Sequence, residues 1–313
     1  YSPDLSDGIV DRAMFHVDNA YFLPKSRIVG HRCKTNTVSN TAFRGFGGPQ
    51  GMLAMEAAMD NLAYAAKIEP LLLRERNFYR PGFSTTPYQQ DVGQIVLPDL
   101  VQKLVAKSDY WSRRENIKAY NASGPRWRKG ISLNPVKFGI SFTATHLNQA
   151  GALLHIFTDG SVEVNHGGTE MGQGLYTKVQ AIVANAFGLR ITQVLNTASR
   201  TDKVPNASPT AASSAADMNG MAALNACEQI KIRLTSFAKQ ELGWNGPLIF
   251  SNGMVSSREN PRESLPFSEF VGKAYMARVS LSEKGFYRTP DISVDKDAGV
   301  GNPFYYFANG ASV

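Results

Sequence analysis

The sequence contains few cysteines. Only Cys33 and Cys227 occur among 313 residues, far apart and in unrelated contexts. Neither a CxxC redox site nor a set of cysteine ligands for an iron–sulfur cluster is therefore encoded. The first residues, YSPDLSDGIV, also lack the basic start and apolar stretch of a signal peptide. Together these absences predict a reducing, cytoplasmic location.

Long apolar runs and strong charge patches are also missing. No run approaches the roughly 20 apolar residues that span a bilayer, so we expect no membrane segment. The net charge of +7 favours an anionic ligand. The basic clusters at 25–34 and 126–130 are short and poor in aromatic residues, which argues against nucleic acid as a partner.

Common catalytic motifs are absent as well. GFGGPQG is not the GxGxxG of dinucleotide-binding folds, and GGTEMGQG lacks the Lys-Ser/Thr end of a P-loop. No Gly-x-Ser-x-Gly elbow occurs, which disfavours a serine hydrolase. No two of the five histidines have helical metal-ligand spacing, and we interpret them as satisfied structural residues. Nicotinamide, nucleoside triphosphate and hydrolase chemistry are thus disfavoured.

Three loops rich in glycine or small residues precede predicted helices. They are FRGFGGPQG (43–51), HGGTEMGQG (166–174) and SPTAASS (208–214). A helix N-terminus offers unpaired N–H groups, and small residues let an anion or a planar ring approach the backbone. One polyanionic ligand held from several sides is one interpretation; three ordinary turn-to-helix junctions is the other.

Two polar side chains lie in the second of these loops. Glu170 and Gln173 offer a carboxylate and an amide that could hydrogen-bond a heterocycle. A single glutamate in such a loop is more typical of loop organisation than of acid–base catalysis.

The local patterns predict a mixed α/β (α+β) fold in which helices flank mixed sheets. The chain runs from extended segments into a long buried helix at 49–68, and a second helix begins at Pro70. Residues 79–94 carry Pro, Gly, Ser and Thr without periodicity, which places a domain boundary near 84/85. Two domains are therefore expected, at 1–84 and 85–313.

The second predicted domain has clearer signals for helix ends and turns. The helical stretch at 97–122 breaks near Ser108, which could cap the second helix. Asp159-Gly160 between apolar runs predicts a β-hairpin. A helix from 175 should stop at Gly188, and the longest helix should start near 211. Strands and loops follow from 285, and the terminal GASV should pair with a segment outside the sequence.

Three segments together resemble a known family. TNTVSNTAFRGFGGPQGMLAMEAAMDNLA (35–63), KFGISFT with LNQAGALLHIFTDGSVEVNHGGTEMGQGLYTK (137–178), and VPNASPTAAS (204–213) closely resemble the molybdenum-binding subunit of xanthine dehydrogenases. These belong to the xanthine oxidase and aldehyde oxidase family of molybdenum hydroxylases. The likeness runs end to end but covers only the middle of that subunit. It implies a two-part molybdopterin-binding architecture, incomplete at both ends: the end of the first domain and the first part of the second.

The resemblance implies a role for the first loop. In the family the backbone matching Arg44 and Gly45 lies beside the molybdenum centre. Phe46 would stack on one face of a flat substrate, and Phe142, with Thr143 beside it, would form the opposing wall. Two aromatic rings orient a planar molecule at low entropic cost.

Further positions carry over to the cofactor and to the substrate. Gln173 would be an amide partner of the pterin, and Thr210, Ala212 and Ser213 would meet the metal end of the cofactor. Ala212, like Arg44, would be a backbone neighbour of molybdenum rather than a ligand. Ala215 and Ala216 depart from relatives that carry hydroxyl groups there. Arg12 matches the arginine of the xanthine dehydrogenase branch and would hold a purine carbonyl oxygen; the alternative is a surface arginine at a strand edge.

The implied activity is oxidation of hypoxanthine to xanthine and of xanthine to urate. Electrons would leave through 2Fe-2S clusters and FAD to NAD on partner chains or domains, in an oligomeric enzyme. The family's substrate-binding glutamate and catalytic base glutamate would lie outside the sequence, so no catalytic residue is assigned and the isolated chain is expected to be inactive. An aldehyde oxidase, another N-heterocycle hydroxylase, or a segment that binds nothing by itself remain alternatives.

Overall fold

A computed structural model describes residues 5–204 and 206–313 of the chain. Within these residues the helices are α1 (Ser6–Met14), α2 (Gly48–Ala66), α3 (Pro70–Asn77), α4 (Leu97–Lys107), α5 (Tyr110–Ala122), α6 (Leu175–Phe187), α7 (Ala215–Glu241) and α8 (Phe267–Met276). None of them combines the length and apolar character needed to cross a bilayer.

The strands within the described ranges form four small sheets. They are β1 (Asn134–Ile140), β2 (Gln149–Ile156), β3 (Val162–His166), β4 (Val194–Asn196), β5 (Leu248–Ser251), β6 (Met254–Ser257), β7 (Ser264–Pro266), β8 (Ser282–Arg288), β9 (Ser293–Asp295), β10 (Val300–Asn302) and β11 (Tyr306–Ser312). The predicted mixed α/β class is confirmed.

The chain forms two compact units. The first, unit 1, comprises Tyr1–Thr145 and Asp291–Val313; the second, unit 2, is His146–Pro290. In unit 1, β1 pairs antiparallel with β11 from Asn134 opposite Ser312, and β9 pairs with β10. The terminal residues thus find their partner within the chain, so the expectation that GASV pairs with an outside segment is wrong.

Unit 2 is built on a mixed sheet in the order β4-β3-β2-β8, with β3 and β4 parallel. Helix α7 packs against β8 and β2. A Cβ on Gly285 of β8 would lie 1.9 Å from the carbonyl oxygen of Ala222, so only glycine permits this approach. Strands β5, β6 and β7 form a separate antiparallel sheet.

The predicted boundary at 84/85 does not separate the compact units. Residues 79–94 are tied into unit 1, where Gln90 Nε2 donates to the carbonyl of Phe304 at 2.5 Å and Gly301 N donates to Tyr88 O at 2.9 Å. A stretch without periodicity can be fixed by contacts distant in sequence. The division of the chain into domains at 1–84 and 85–313 stays a prediction.

Most local predictions are confirmed. Pro49 and Pro70 lie in the first turns of α2 and α3, Asp159-Gly160 joins β2 to β3, and Gly188 ends α6 in the left-handed conformation. Helix α7 is the longest helix within residues 5–204 and 206–313, although it begins at Ala215 rather than near 211.

Three local predictions are wrong. Helix α2 is buried on only one face, and Tyr64 is 90% exposed. Ser108 ends α4, while Asp109, in the left-handed conformation, precedes α5. The first residues are not extended, since Ser6–Met14 form α1.

A partly buried carboxylate, 14% exposed, organises the core of unit 1. Glu56 on α2 accepts hydrogen bonds from Asn19 Nδ2 at 2.8 Å, from the Tyr21 hydroxyl at 2.6 Å, and from Arg74 Nε at 2.8 Å. Arg74 on α3, only 1% exposed, also reaches Asp60 at 2.8 Å. Charge-assisted bonds of this kind hold α2, α3 and the segment around Tyr21 together.

We expect Glu56→Ala to lower the free energy of unfolding by about 3 kcal/mol, because it leaves the buried Arg74 charge without its main partner. Asp60→Ala is the matched control. Asp60 contacts the same guanidinium but is 57% exposed, so its loss should cost less than about 1 kcal/mol. Urea unfolding of both variants measures the difference. Equal losses would show that Glu56 is not the partner that matters.

Candidate functional site

The loop before α2 has an unusual backbone. Gly45, Phe46 and Gly47 have φ values of 91°, 48° and 97°, which place three successive residues in the left-handed region. A Cβ on Gly47 would lie 2.0 Å from the carbonyl oxygen of Ile9 in α1, so glycine is required there. Phe46 bears a side chain at positive φ, a strain of the order of 1 kcal/mol that is typical of functional sites.

Helix α1 fixes the ring of Phe46. The ring is half-buried, and its Cε1 lies 3.2 Å from the position that a Cβ on Gly8 would take. Gly45 is half-buried and Arg44 is exposed. Arg44 and Gly45 thus lie on the outer side of the loop, while Phe46 contacts α1.

Arg12 is buried on α1, so the alternative of a surface arginine at a strand edge is wrong. Its Nη1 donates to the carbonyl of Ser141 at 2.6 Å and its Nη2 to the carbonyl of Gly139 at 2.5 Å. The guanidinium carbon also lies 4.8 Å from the ring centre of Phe138. Burial lowers the pKa of Arg12 to about 10, which still leaves the group charged at neutral pH.

Two further side chains bind the same edge of β1. His16 Nε2 accepts from Gly139 N at 3.0 Å, while its Nδ1 lies 2.8 Å from the carbonyl of Arg12. Asn19 accepts from Lys137 N at 3.1 Å and donates to Pro135 O at 3.0 Å. Alternate residues of a strand direct their backbone groups to one edge. Arg12, His16 and Asn19 therefore pair this edge of β1 as a neighbouring strand would.

Phe142 and Thr143 follow directly on this edge. β1 ends at Ile140, Phe142 is half-buried, and Thr143 is buried. Arg12 thus holds the backbone carbonyl one residue before Phe142. All four predicted substrate residues, Arg12, Phe46, Phe142 and Thr143, belong to unit 1. Contacts of α1 connect the Phe46 loop to the end of β1.

In unit 2, Glu170 organises the loop before α6. Its Oε1 accepts from Gly172 N at 2.8 Å and from Gly174 N at 3.0 Å, and its Oε2 accepts from Tyr176 N at 3.1 Å. These bonds, led by the one from Tyr176, hold the pKa of Glu170 below its usual range. A carboxylate that accepts only backbone amides has the loop-organising role typical of such a glutamate.

The loops at 166–174 and 208–214 are joined. Thr169 N donates to Thr210 Oγ1 at 2.8 Å. Gln173 also bonds within its loop, since it accepts from Met171 N at 2.5 Å and donates to Thr169 O at 2.8 Å. A cofactor that uses the Gln173 amide must therefore replace a bond within the loop. Ala212 and Ser213 are exposed just before α7 begins.

Residues that the sequence reasoning did not assign support these loops. His166 Nδ1 accepts from Gly168 N at 3.1 Å, and Ser199 Oγ donates to Gly168 O at 2.7 Å. Burial lowers the pKa of His166, so its ring is neutral and free to accept this bond. The position of His166 directly before Gly167-Gly168 could have indicated its role from the sequence, whereas nothing in the sequence around Ser199 does so. His16 and Asn19 were also missed as partners of β1.

Two glycines leave the backbone of the loop before α6 open. A Cβ on Gly172 or Gly174 would meet no atom within 4 Å, and both residues have positive φ. The amides before and at the start of α6 are already taken by Glu170, whereas exposed small residues at 212–213 precede the N-terminus of α7. Bare backbone and a helix N-terminus suit a pterin with a phosphate. Within the described ranges no group of three or more His, Cys, Asp or Glu could hold a metal ion.

Two models described as molybdopterin cofactor-binding domain match the chain, one over residues 103–313 and the other over residues 1–78. The first alone covers more than half of the chain. The chain belongs to the molybdopterin cofactor-binding domain family.

Curated relatives match the whole chain. It is 42% identical to the xanthine dehydrogenase of Dictyostelium discoideum over 100% of its length, and 44% identical to xanthine dehydrogenase 1 of Arabidopsis thaliana over 99%. The chain spans about a fifth of the length of these relatives, 22% and 21% respectively. The resemblance noted in the sequence is confirmed.

Solved structures share the fold. The aldehyde oxidoreductase of Desulfovibrio gigas superposes with a TM-score of 0.77 at 24% identity, over 98% of this chain and 31% of that chain. Quinoline 2-oxidoreductase of Pseudomonas putida 86 gives a TM-score of 0.72 at 20% identity, over 97% and 39%. At this identity the likeness shows the fold alone.

We expect His16 to make the stability of the chain depend on pH. Burial, with the nearby Arg12 charge, lowers the pKa of His16 to about 3. An unfolded histidine takes up its proton near pH 6.5, so between these values the unfolded state binds more protons and stability falls as the pH falls. The slope is about 1.4 kcal/mol per pH unit. Urea unfolding from pH 6.5 to 4.5 should show a flatter dependence for His16→Gln. Parallel curves would contradict the assignment.

We also expect Glu170 to hold the loop before α6. In Glu170→Ala, amide hydrogen exchange over 170–176 should speed up at least tenfold, because three backbone N–H groups lose their acceptor. Met171→Ala, which removes an exposed side chain from the same loop, is the control and should leave the rate unchanged. Mass spectrometry of peptides covering this loop reads out both. Unchanged exchange in Glu170→Ala would show that the loop is held by other contacts.

Proposed function

We propose that this member of the molybdopterin cofactor-binding domain family is part of a xanthine dehydrogenase-like molybdenum hydroxylase. Its substrates would be hypoxanthine and xanthine, converted to xanthine and urate in purine catabolism. The names of the relatives support this proposal, as do the residues that unit 1 and unit 2 present. Each unit supports a different part of it.

The observation that carries the substrate assignment is the charge of Arg12. Among the residues that the structure describes, the buried cations of unit 1 are Arg12, Arg74 and Lys137. Arg74 has Glu56 and Asp60, and Lys137 has Asp18 at 3.0 Å. Among the described residues Arg12 forms no ion pair and is held by backbone carbonyls and aromatic rings. A buried charge without a counter-ion is costly, and an anionic or electron-rich ligand would relieve that cost.

A purine suits this environment. Oxidation replaces a ring C–H with C–O, using oxygen from water and releasing two electrons and protons, and negative charge builds up on the ring and its carbonyl oxygen. Within the described part of the chain, Arg12 uses two of its five guanidinium N–H groups, on Ser141 and Gly139. The others can donate to that oxygen. Phe46 and Phe142 would stack on the ring and Thr143 would lie beside it, which orients the carbon under attack.

Unit 2 would hold the pterin. Its loops offer the amide of Gln173, the hydroxyls of Thr210 and Ser213, and the backbone at Ala212. Bound molybdopterin supplies the molybdenum centre that accepts the two electrons. Electrons would then pass through 2Fe-2S clusters and FAD to NAD on other parts of an oligomeric enzyme.

The experiment uses a complete enzyme that carries this chain, with xanthine and a small aliphatic aldehyde as substrates. We expect molybdenum and pterin to be bound, and xanthine to be turned over. Arg12→Met should lower kcat for xanthine by about 30- to 1000-fold, equivalent to roughly 2–4 kcal/mol of transition-state stabilisation. Aldehyde turnover should remain, because an aliphatic aldehyde has no ring on which the charge spreads.

Arg12→Lys is the matched control for this test. A lysine keeps the charge but cannot serve two carbonyls and a substrate oxygen at once, so it should restore little xanthine turnover. Melting temperatures of both variants report the loss of the hydrogen bonds to Gly139 and Ser141. An equal fall for xanthine and aldehyde would mean that Arg12 acts by holding the structure and would reopen the aldehyde oxidase alternative. Absence of molybdenum from the complete enzyme would contradict the whole proposal.

A further inference from the structure

We infer that His16 is a positioning residue for substrate, which sets the orientation of Phe142 and Thr143 through its hydrogen bond with the amide of Gly139. The inference rests on the proposed function, because it assigns His16 to the wall that would receive the purine ring. His16 itself is fully buried and need not contact the substrate.

The two nitrogens of His16 connect helix and strand. Nε2 accepts from Gly139 N at 3.0 Å, so Nδ1 carries the proton and donates to the carbonyl of Arg12 at 2.8 Å. The bond to Gly139 lies three residues before Phe142. A change in this bond is therefore passed to Phe142 through a very short stretch of backbone.

Packing around Gly139 makes its position depend on the hydrogen bond with His16. A Cβ on Gly139 would lie 2.3 Å from the ring of Phe304, so the strand is in contact with that ring on one side. The imidazole contacts the rings of Phe138 and Phe304, with centroid distances of 5.0 Å and 4.9 Å. His16 is thus wedged between aromatic rings with its acceptor aimed at one backbone amide. Few other orientations are open to it.

Arg12 and His16 bind the same residue in different ways. Arg12 donates to the carbonyl of Gly139, and His16 accepts from the amide of the same residue. Arg12 would act on the charge of the substrate, which affects kcat, whereas His16 would act on ring stacking, which affects KM. The two roles can therefore be separated in one set of kinetic measurements.

The test compares two amide substitutions in the complete enzyme. In His16→Gln the side-chain oxygen reaches the position of Nε2 and can still accept from Gly139 N. In His16→Asn the amide is one methylene shorter, reaches only the position of Nδ1, and leaves Gly139 N without an acceptor. We expect His16→Asn to raise KM for xanthine at least tenfold with kcat changed less than threefold, as Phe142→Ala should. His16→Gln should stay within threefold of the wild type.

An aliphatic aldehyde and a core variant complete the design. KM for the aldehyde should change less than threefold in His16→Asn, because it has no ring to stack. Leu71→Ala, in the core of unit 1 but not on β1, lowers stability and should leave both KM values unchanged. Equal changes for both substrates, or identical behaviour of the Asn and Gln variants, would overturn the inference. Loss of xanthine turnover in the wild type would instead contradict the proposed function.

A second readout does not depend on turnover, and its first part needs no variant. In the wild-type chain, hydrogen exchange resolved to single residues should show Gly139 N protected as strongly as the amides of β1 that pair with β11. Where His16→Asn folds, exchange at Gly139 should speed up at least tenfold while exchange in β2 and β3 stays unchanged. Rapid exchange at Gly139 in the wild type would overturn the inference whether or not the variants fold.

Discussion

Unit 1 depends on how the edge of β1 that does not face β11 pairs its backbone groups. A strand in a two-stranded sheet has one row of backbone groups without a partner strand, and buried groups of this kind must be paired. Here Arg12, His16 and Asn19 supply five hydrogen bonds to Pro135, Lys137, Gly139 and Ser141. Side chains thereby replace a strand. The side chains that pair this edge can also carry charge and contact a ligand.

Closing an edge with side chains ties structure to function at the same positions. A backbone partner would satisfy β1 with any sequence, whereas this arrangement needs an arginine, a neutral histidine and an amide at fixed places. Asn19 continues the connection to Glu56, and so to α2 and Arg74. The loop with Phe46 precedes α2 and rests on α1. The strand before Phe142 and the helices beside the Phe46 loop are thus tied to one network of polar groups.

The sequence predicts local structure well and long-range pairing poorly. Prolines, glycines and the Asp-Gly turn mark α2, α3, α6 and the β2–β3 hairpin because these signals act over a few residues. The short elements β5 to β7 and α8 carry weaker signals and were not predicted. The burial of Arg12 depends on carbonyls 127 and 129 residues away. Nothing within a window around Arg12 reports such a contact, and only the family resemblance singled out this residue.

The charge of Arg12 and the neutrality of His16 depend on each other. Arg12 lowers the pKa of His16 further than burial alone, so Nε2 keeps its lone pair for Gly139 at any physiological pH. A protonated His16 would place a second positive charge beside Arg12 and lose its acceptor. The carbonyls and rings around Arg12 in turn stabilise its charge without cancelling it, as a carboxylate would. The positive potential therefore stays available to a ligand, which is the property that a site for an electron-rich purine ring requires.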